Sequence, residues 1–186
     1  MSTHARFVLA VLSMSCACQH VAALPEPVYE GCATDENWPT FDAAILQDRV
    51  AHEGPQVPQW IQPGQAAQFR SQDEPALFVF QPSAFDAGSA DGDTTCPQYR
   101  PAGRSGLQVN HLPPVSGTVF DIHFSSDGLP AYRVLTTRQS VRVPGSVWKS
   151  WAGTRVSVLL YAAQLADNEI VSAVGQSDSR EVLVAP

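Results

Sequence analysis

Pro113-Pro114-Val115-Ser116-Gly117-Thr118-Val119-Phe120-Asp121-Ile122-His123-Phe124 is the stretch that decides the fold. After the Ser116-Gly117 turn its residues alternate: Phe120, Ile122 and Phe124 fall on one side, Asp121, His123 and Ser125 on the other. Side chains on a strand repeat every second residue, so this pattern predicts a strand with one buried and one wet face. Working outward, the Ser126-Asp127-Gly128 turn leads to Ala131–Thr136 as a hairpin partner, and Ser140–Val143 reads as a further short strand. Pro144-Gly145-Ser146 then opens a single helical turn carrying Trp148 and Trp151. Arg155–Ala163 is the longest β signal, Asp167-Asn168-Glu169 its exit loop, and Arg180–Val184 closes the domain.

Upstream the same idea is weaker. Gln59–Gln62 reads as a short strand stopped by Pro63-Gly64, and Ala76–Gln81 as a second. Leu77 and Val79 face one way and Phe78 and Phe80 the other, so this strand is expected to be central or covered by the N-terminal extension. Between it and the organising strand, residues 82–112 are rich in Gly, Ser, Asp and Pro; a loop of that length is functional or mobile. Before Val57, residues 24–56 form an extension. Leu24-Pro25-Glu26-Pro27 starts it stiffly, and a helix from about Pro39 to Val50 follows, presenting Phe41, Ala44, Ile45 and Leu46. That helix is expected to pack on the body or cover a sheet edge.

Composition agrees with this reading. Only 16% of residues are charged, and 15 Pro and 12 Gly supply the turns of an all-β domain. The net charge is −7, a surface that repels phosphate backbones and argues against nucleic acid as a partner.

The first 23 residues read as a secretory signal peptide: His4 and Arg6 precede the apolar run Phe7–Met14, followed by small residues. The apolar run is too short for a permanent membrane span. Val21-Ala22-Ala23 offers a signal-peptidase site that would leave Leu24 as the mature N-terminus. Alternatively, Cys16 and Cys18 sit in lipobox-like contexts and are candidates for lipidation, although neither has an aliphatic residue three positions before it. Either exit implies an extracytoplasmic location, secreted, periplasmic or lipid-anchored at the cell envelope. Cys32 and Cys96 then remain as an even pair in an exported chain, which predicts one disulfide. Closing a loop of about 65 residues would remove on the order of 4 kcal/mol of unfolded-state freedom.

From Gln59 to Pro186 the chain resembles the fibronectin type III or immunoglobulin-like modules of exported bacterial proteins. The likeness rests on the Pro-rich opening Gln59–Pro63, Phe80-Gln81-Pro82, Val119–Ile122 through Tyr132–Val134, the Trp148 turn and Glu181–Val184. It implies an antiparallel two-sheet sandwich over residues 57–186 that adheres to, spaces or presents a ligand. The long 82–112 insertion departs from a minimal module.

Candidate sites are few. Ser146-Val147-Trp148-Lys149 has the Ser-x-x-Lys spacing in which a lysine can deprotonate a serine, and it uses the sole lysine. The companion Lys-Thr-Gly and Ser-Asp-Asn motifs are missing, so Ser146 reads as a helix N-cap and Lys149 as a solvated residue. Asp86, Asp91 and Asp93 with Gly88 and Gly92 could converge on calcium, giving a calcium-dependent carbohydrate-binding alternative, but the spacing is not that of an EF-hand. His111, Asp121 and His123 could hold zinc for a small metal-dependent hydrolase; ordinary exposed polar residues are the simpler reading. Trp148 and Trp151 are expected as core plugs, or, if exposed, as a platform for a sugar or a partner. No motif asks for a cofactor. The expectation is a non-catalytic exported module whose partner is an envelope or extracellular protein or a glycan.

Overall fold

The computed structural model describes residues 24–34, 38–82 and 114–186. Residues 1–23 with Cys16 and Cys18, and residues 83–113 with Asp86, Asp91, Asp93, Cys96 and His111, lie outside the described residues. Strands make up 46% of what is described, so the protein is largely all-β.

Twelve strands and two helices are present among the described residues: β1 (Val28–Glu30), α1 (Trp38–Leu46), β2 (Val50–Ala51), β3 (Gln59–Gln62), β4 (Ala67–Arg70), β5 (Leu77–Gln81) and β6 (Gly117–Ser125), then β7 (Tyr132–Thr136), β8 (Ser140–Arg142), α2 (Gly145–Ser150), β9 (Thr154–Ala166), β10 (Glu169–Ile170), β11 (Val174–Gln176) and β12 (Arg180–Ala185). The organising strand is β6. It pairs with β7 on one side and, over its whole length from Gly117↔Leu165 to Ser125↔Ser157, with β9 on the other. The far edge of β9 is filled in succession by β10, β11 and β12. A second, three-stranded antiparallel sheet runs β3-β5-β8.

The sheets meet through aromatic rings. Phe78 and Phe80 of β5 lie 5.1 Å from Phe124 and 4.7 Å from Phe120, centroid to centroid, and all four are fully buried. Ile122, Val134, Val158 and Leu160 fill the same layer. β5 is central to its sheet as expected. Its outer face is not covered by the extension, however: Leu77 remains 37% exposed.

The extension goes instead to the opposite side of the large sheet. Phe41 and Ala44 of α1 pack there against Val119, Leu135, Tyr161, Ala163 and Leu165. The helix begins one residue before and ends four residues before the span its sequence suggested. Its end is a Schellman closure: Asp48 N–H donates to the Ile45 carbonyl (3.1 Å), Arg49 N–H to the Ala44 carbonyl (2.9 Å), and Asp48 adopts φ 51°. The chain then extends so that Val50 pairs with Val174.

Two expectations are corrected here. The sheet is not purely antiparallel: β1 joins β7, β2 joins β11 and β4 joins β12, all in parallel. These short strands close sheet edges that would otherwise present unpaired backbone groups. Nor is the polar face of β6 wet along its length: Asp121 is buried and His123 half-buried, and only the terminal Ser125 is exposed. With the two-sheet core on one side and the extension on the other, Val119 through Ile122 are all buried. Amphipathic alternation reports polarity, and here the polar side chain at the middle of the strand, Asp121, is enclosed.

Turn chemistry fixes the ends of these strands. Asp167 and Asn168 both adopt positive φ (52° and 69°), the signature of a type I′ hairpin joining β9 to β10. Asn168 also accepts from Val115 N–H through Oδ1 (2.7 Å) and donates its own N–H to the Val115 carbonyl (3.0 Å). The lead-in to β6 is thereby tied to the tip of its principal partner.

Gly175 sits where the chain leaving β2 crosses β11, and a Cβ there would overlap the Gln56 carbonyl. Gly175→Ala should therefore lower stability by about 1–3 kcal/mol in urea unfolding. Gly145→Ala, with open space around it, should be neutral or slightly stabilising. Equal effects at the two positions would contradict the crossing.

Candidate functional site

The chemistry-bearing residues that come together lie under the extension. Alternation puts Asp121 and His123 on the side of β6 facing α1, and register sets Arg133 of β7 directly opposite His123. Asp121 and Arg133 are essentially inaccessible. The guanidinium grips Asp121 with both ends: Nε donates to Oδ1 (2.9 Å) and Nη2 to Oδ2 (2.5 Å). Its third nitrogen, Nη1, turns to the extension, 2.6 Å from Asp42 Oδ1 of α1 and donating to the Pro25 carbonyl at 3.3 Å. His123 Nε2 stands 3.1 Å from Asp121 Oδ1, and its ring lies 5.0 Å from that of Tyr161.

The electrostatics follow from burial. Desolvation alone would raise the Asp121 carboxyl, but the neighbouring His123 and the Arg133 guanidinium outweigh it and hold it below the ordinary carboxylate range. Burial alone would lower the Arg133 guanidinium; the two carboxylates outweigh it and raise it. Burial pushes the Tyr161 phenol up, and the Asp121 carboxylate adds to that rise. Arg suits the position because its planar fork can serve a carboxylate bidentately and still offer a nitrogen elsewhere.

The arrangement joins three parts of the chain: β6, β7 and the extension. A guanidinium with all three nitrogens engaged by carboxylates and a carbonyl is a structural latch. The zinc reading required Asp121 as a ligand, and both of its oxygens face the guanidinium; His111 lies outside the described residues. Among the described residues no group of three or more His, Cys, Asp or Glu could hold a metal ion.

The tryptophans are corrected as a binding platform. Trp148 and Trp151 are 0% and 1% exposed. Trp151 stacks on Phe124 (5.7 Å), and Trp148 packs edge-on against Phe69 (5.7 Å). They plug one end of the core. Ser146 and Lys149 are both exposed on α2, whose N-cap is Pro144 rather than Ser146, with no side-chain cap. Cys32 is buried beside β7, its N–H donating to Thr137 Oγ1 (3.0 Å). Cys96, its expected partner, lies outside the described residues.

Arg133 and Asp42 were missed by reading the sequence for function. Arg133 interrupts an apolar β run, and a lone Arg there, in reach of an acidic residue on the adjacent strand, is a signal that could have found the latch. Asp42 lies on a short amphipathic helix where nothing marks it.

Removing one partner leaves the other charged and buried, so Asp121→Asn and Arg133→Met should each cost about 3–5 kcal/mol in urea unfolding. The pH dependence has a definite sign. Because the folded carboxyl of Asp121 is lowered, its contribution is present above the unfolded value of about 3.9 and lost as pH falls through the lower folded value. Below about pH 4 the stability of Asp121→Asn should fall less steeply than that of the native protein; parallel curves would contradict the assignment.

No protein-family model matches the chain, and no curated protein is similar to it, so what it does is argued from its own geometry.

Proposed function

We propose that the chain is an exported, non-catalytic β-sandwich module of the immunoglobulin or fibronectin III kind. It acts at the cell envelope by binding a protein or glycan or by spacing one. The observation that carries this reading is the commitment of its candidate chemical groups to the fold. Asp121 is gripped by Arg133, and Trp148 and Trp151 fill the core. Strand order supports the sandwich assignment: leaving aside the extension, the small sheet takes the first, third and sixth strands of the body, β3, β5 and β8. The large one takes β7-β6-β9 with β12 beside β9, the division between the two layers of an immunoglobulin-like domain.

Export is supported by the signal-peptide pattern of residues 1–23, with Leu24 or a lipidated Cys16 or Cys18 as the mature start. In the oxidising compartment Cys32 and Cys96 form a disulfide that ties the extension to the loop before β6. Fractionation of the producing cell with mass spectrometry of the intact chain tests this. The expected result is a shortened chain outside the cytoplasm in which Cys32 and Cys96 resist thiol labelling until reduced. A full-length cytoplasmic chain with both thiols free would overturn it. Cross-linking to an envelope protein or retention on a glycan surface, lost on changing exposed residues of the small sheet such as Ile61 and Leu77, would identify the binding face.

A further inference from the structure

We propose that the outer face of the large sheet carries a binding site for a neutral sugar unit, in the small cavity where β4, β12 and β9 run side by side. This deepens the glycan-binding form of the reading above and rests on it.

The extension covers only part of this face. Of the outward side chains of β9, Tyr161, Ala163 and Leu165 are buried with Phe41 of α1, whereas Arg155, on the same side of the strand, is exposed. Alternation sets three further side chains beside it. Glu181 and Leu183 of β12 point away from buried Val182 and Val184, and Gln68 of β4 points away from Ala67 and Phe69, which pack on the core. Register arranges them in rows: Leu183 stands between Arg155 and Gln68, and Glu181 stands opposite Ser157. Ala66, Gln68, Arg155, Glu181, Val182 and Leu183 line a cavity of about 70 Å³.

The donor set matches hydroxyl groups. A sugar hydroxyl both donates and accepts, so it is best served by an acceptor and a donor side by side. Ionised Glu181 offers only acceptors, Arg155 only donors, and the Gln68 amide both. Arg155 Nη1 stands 3.6 Å from Glu181 Oε2, beyond hydrogen-bond length, and the two side chains are 78% and 51% exposed. Such a pair contributes little to stability, so both groups can turn to a ligand at small cost. One carboxylate and one guanidinium leave the cavity walls without net charge, which favours a neutral sugar over a uronate or an amine. Half-buried Leu183 gives an aliphatic floor for the C–H side of the ring. Beside Glu181, the Ser157 and Ser179 hydroxyls lie 2.8 Å apart and supply the next polar groups for a longer chain.

Size sets the mode of binding. A pocket that engulfs its ligand measures about 300–1,000 Å³. This cavity is far smaller, so it holds one edge of a ring while the rest stays in water. None of the six lining residues is aromatic, so stacking adds nothing. Affinity for a single sugar is therefore weak, on the order of a few millimolar, and a repeating glycan raises it by avidity.

Backbone amide shifts of the native protein, titrated separately with glucose, galactose, mannose, N-acetylglucosamine and glucuronate, test the site. At least one neutral sugar should give saturating shifts confined to residues 66–68, 155–157 and 179–183. Arg155→Ala and Glu181→Ala should each weaken that binding about tenfold. Both variants should melt within about 2 °C of the native protein, because the pair they break is exposed. Ile61→Ala, on the small sheet, should leave the binding unchanged. Failure of all four neutral sugars to saturate would overturn the site, as would saturation by glucuronate alone, which would mark a simple anion contact at Arg155. Shifts that persist unchanged in a folded protein carrying both Arg155→Ala and Glu181→Ala would overturn it too. If that double variant is still retained on an envelope glycan or protein as firmly as the native chain, the sugar site falls and the broader reading stands.

Discussion

The bidentate pair between Arg133 and Asp121 constrains the rest of the structure. Two opposite charges removed from water are tolerable only when the geometry is good and the remaining donors are satisfied. The sheet supplies one carboxylate to the Arg133 guanidinium and cannot by itself occupy Nη1. The extension does, through Asp42 and the Pro25 carbonyl. Covering this face of β6 is thus both a hydrophobic event, burying Phe41 and Ala44, and the completion of an ionic network. The extension belongs to the fold as much as the strands it covers.

The pair also specifies register. Side chains alternate on a strand, so a one-residue slip of β6 would turn Asp121 toward Phe78 and Phe80 and bring Phe120 to the latch. A β6 framed only by apolar neighbours would pay less for such a slip. The full-length pairing with β9 and the Asn168 contacts to Val115 act in the same direction from the other edge. Three independent contacts therefore hold the central strand in one alignment.

Much of this was legible in the sequence. The alternation of Phe120, Ile122 and Phe124, the hairpin to β7, the length of β9 and the short helix around Trp148 follow from period and turn chemistry. What alternation could not give was the fate of the second face. Asp121, His123 and Arg133 are polar whether they meet water or each other, and the residue pattern is identical in the two cases. The parallel strands β1, β2 and β4 were illegible for a different reason. With two to four residues each, they are strands only because a neighbouring edge supplies hydrogen-bond partners. The tryptophans show the reverse case, in which an expectation of core packing sufficed and the platform alternative fell to burial.

The most direct measurement is the exchange of the Arg133 side-chain Nε proton, followed by NMR in the folded protein. That proton donates to Asp121 Oδ1 at 2.9 Å with no access to solvent. A closed latch predicts a resolved signal that exchanges only when the extension lifts or the domain opens. A proton exchanging at the rate of a solvated arginine would mean that this face of β6 is open to water, and the account would be wrong.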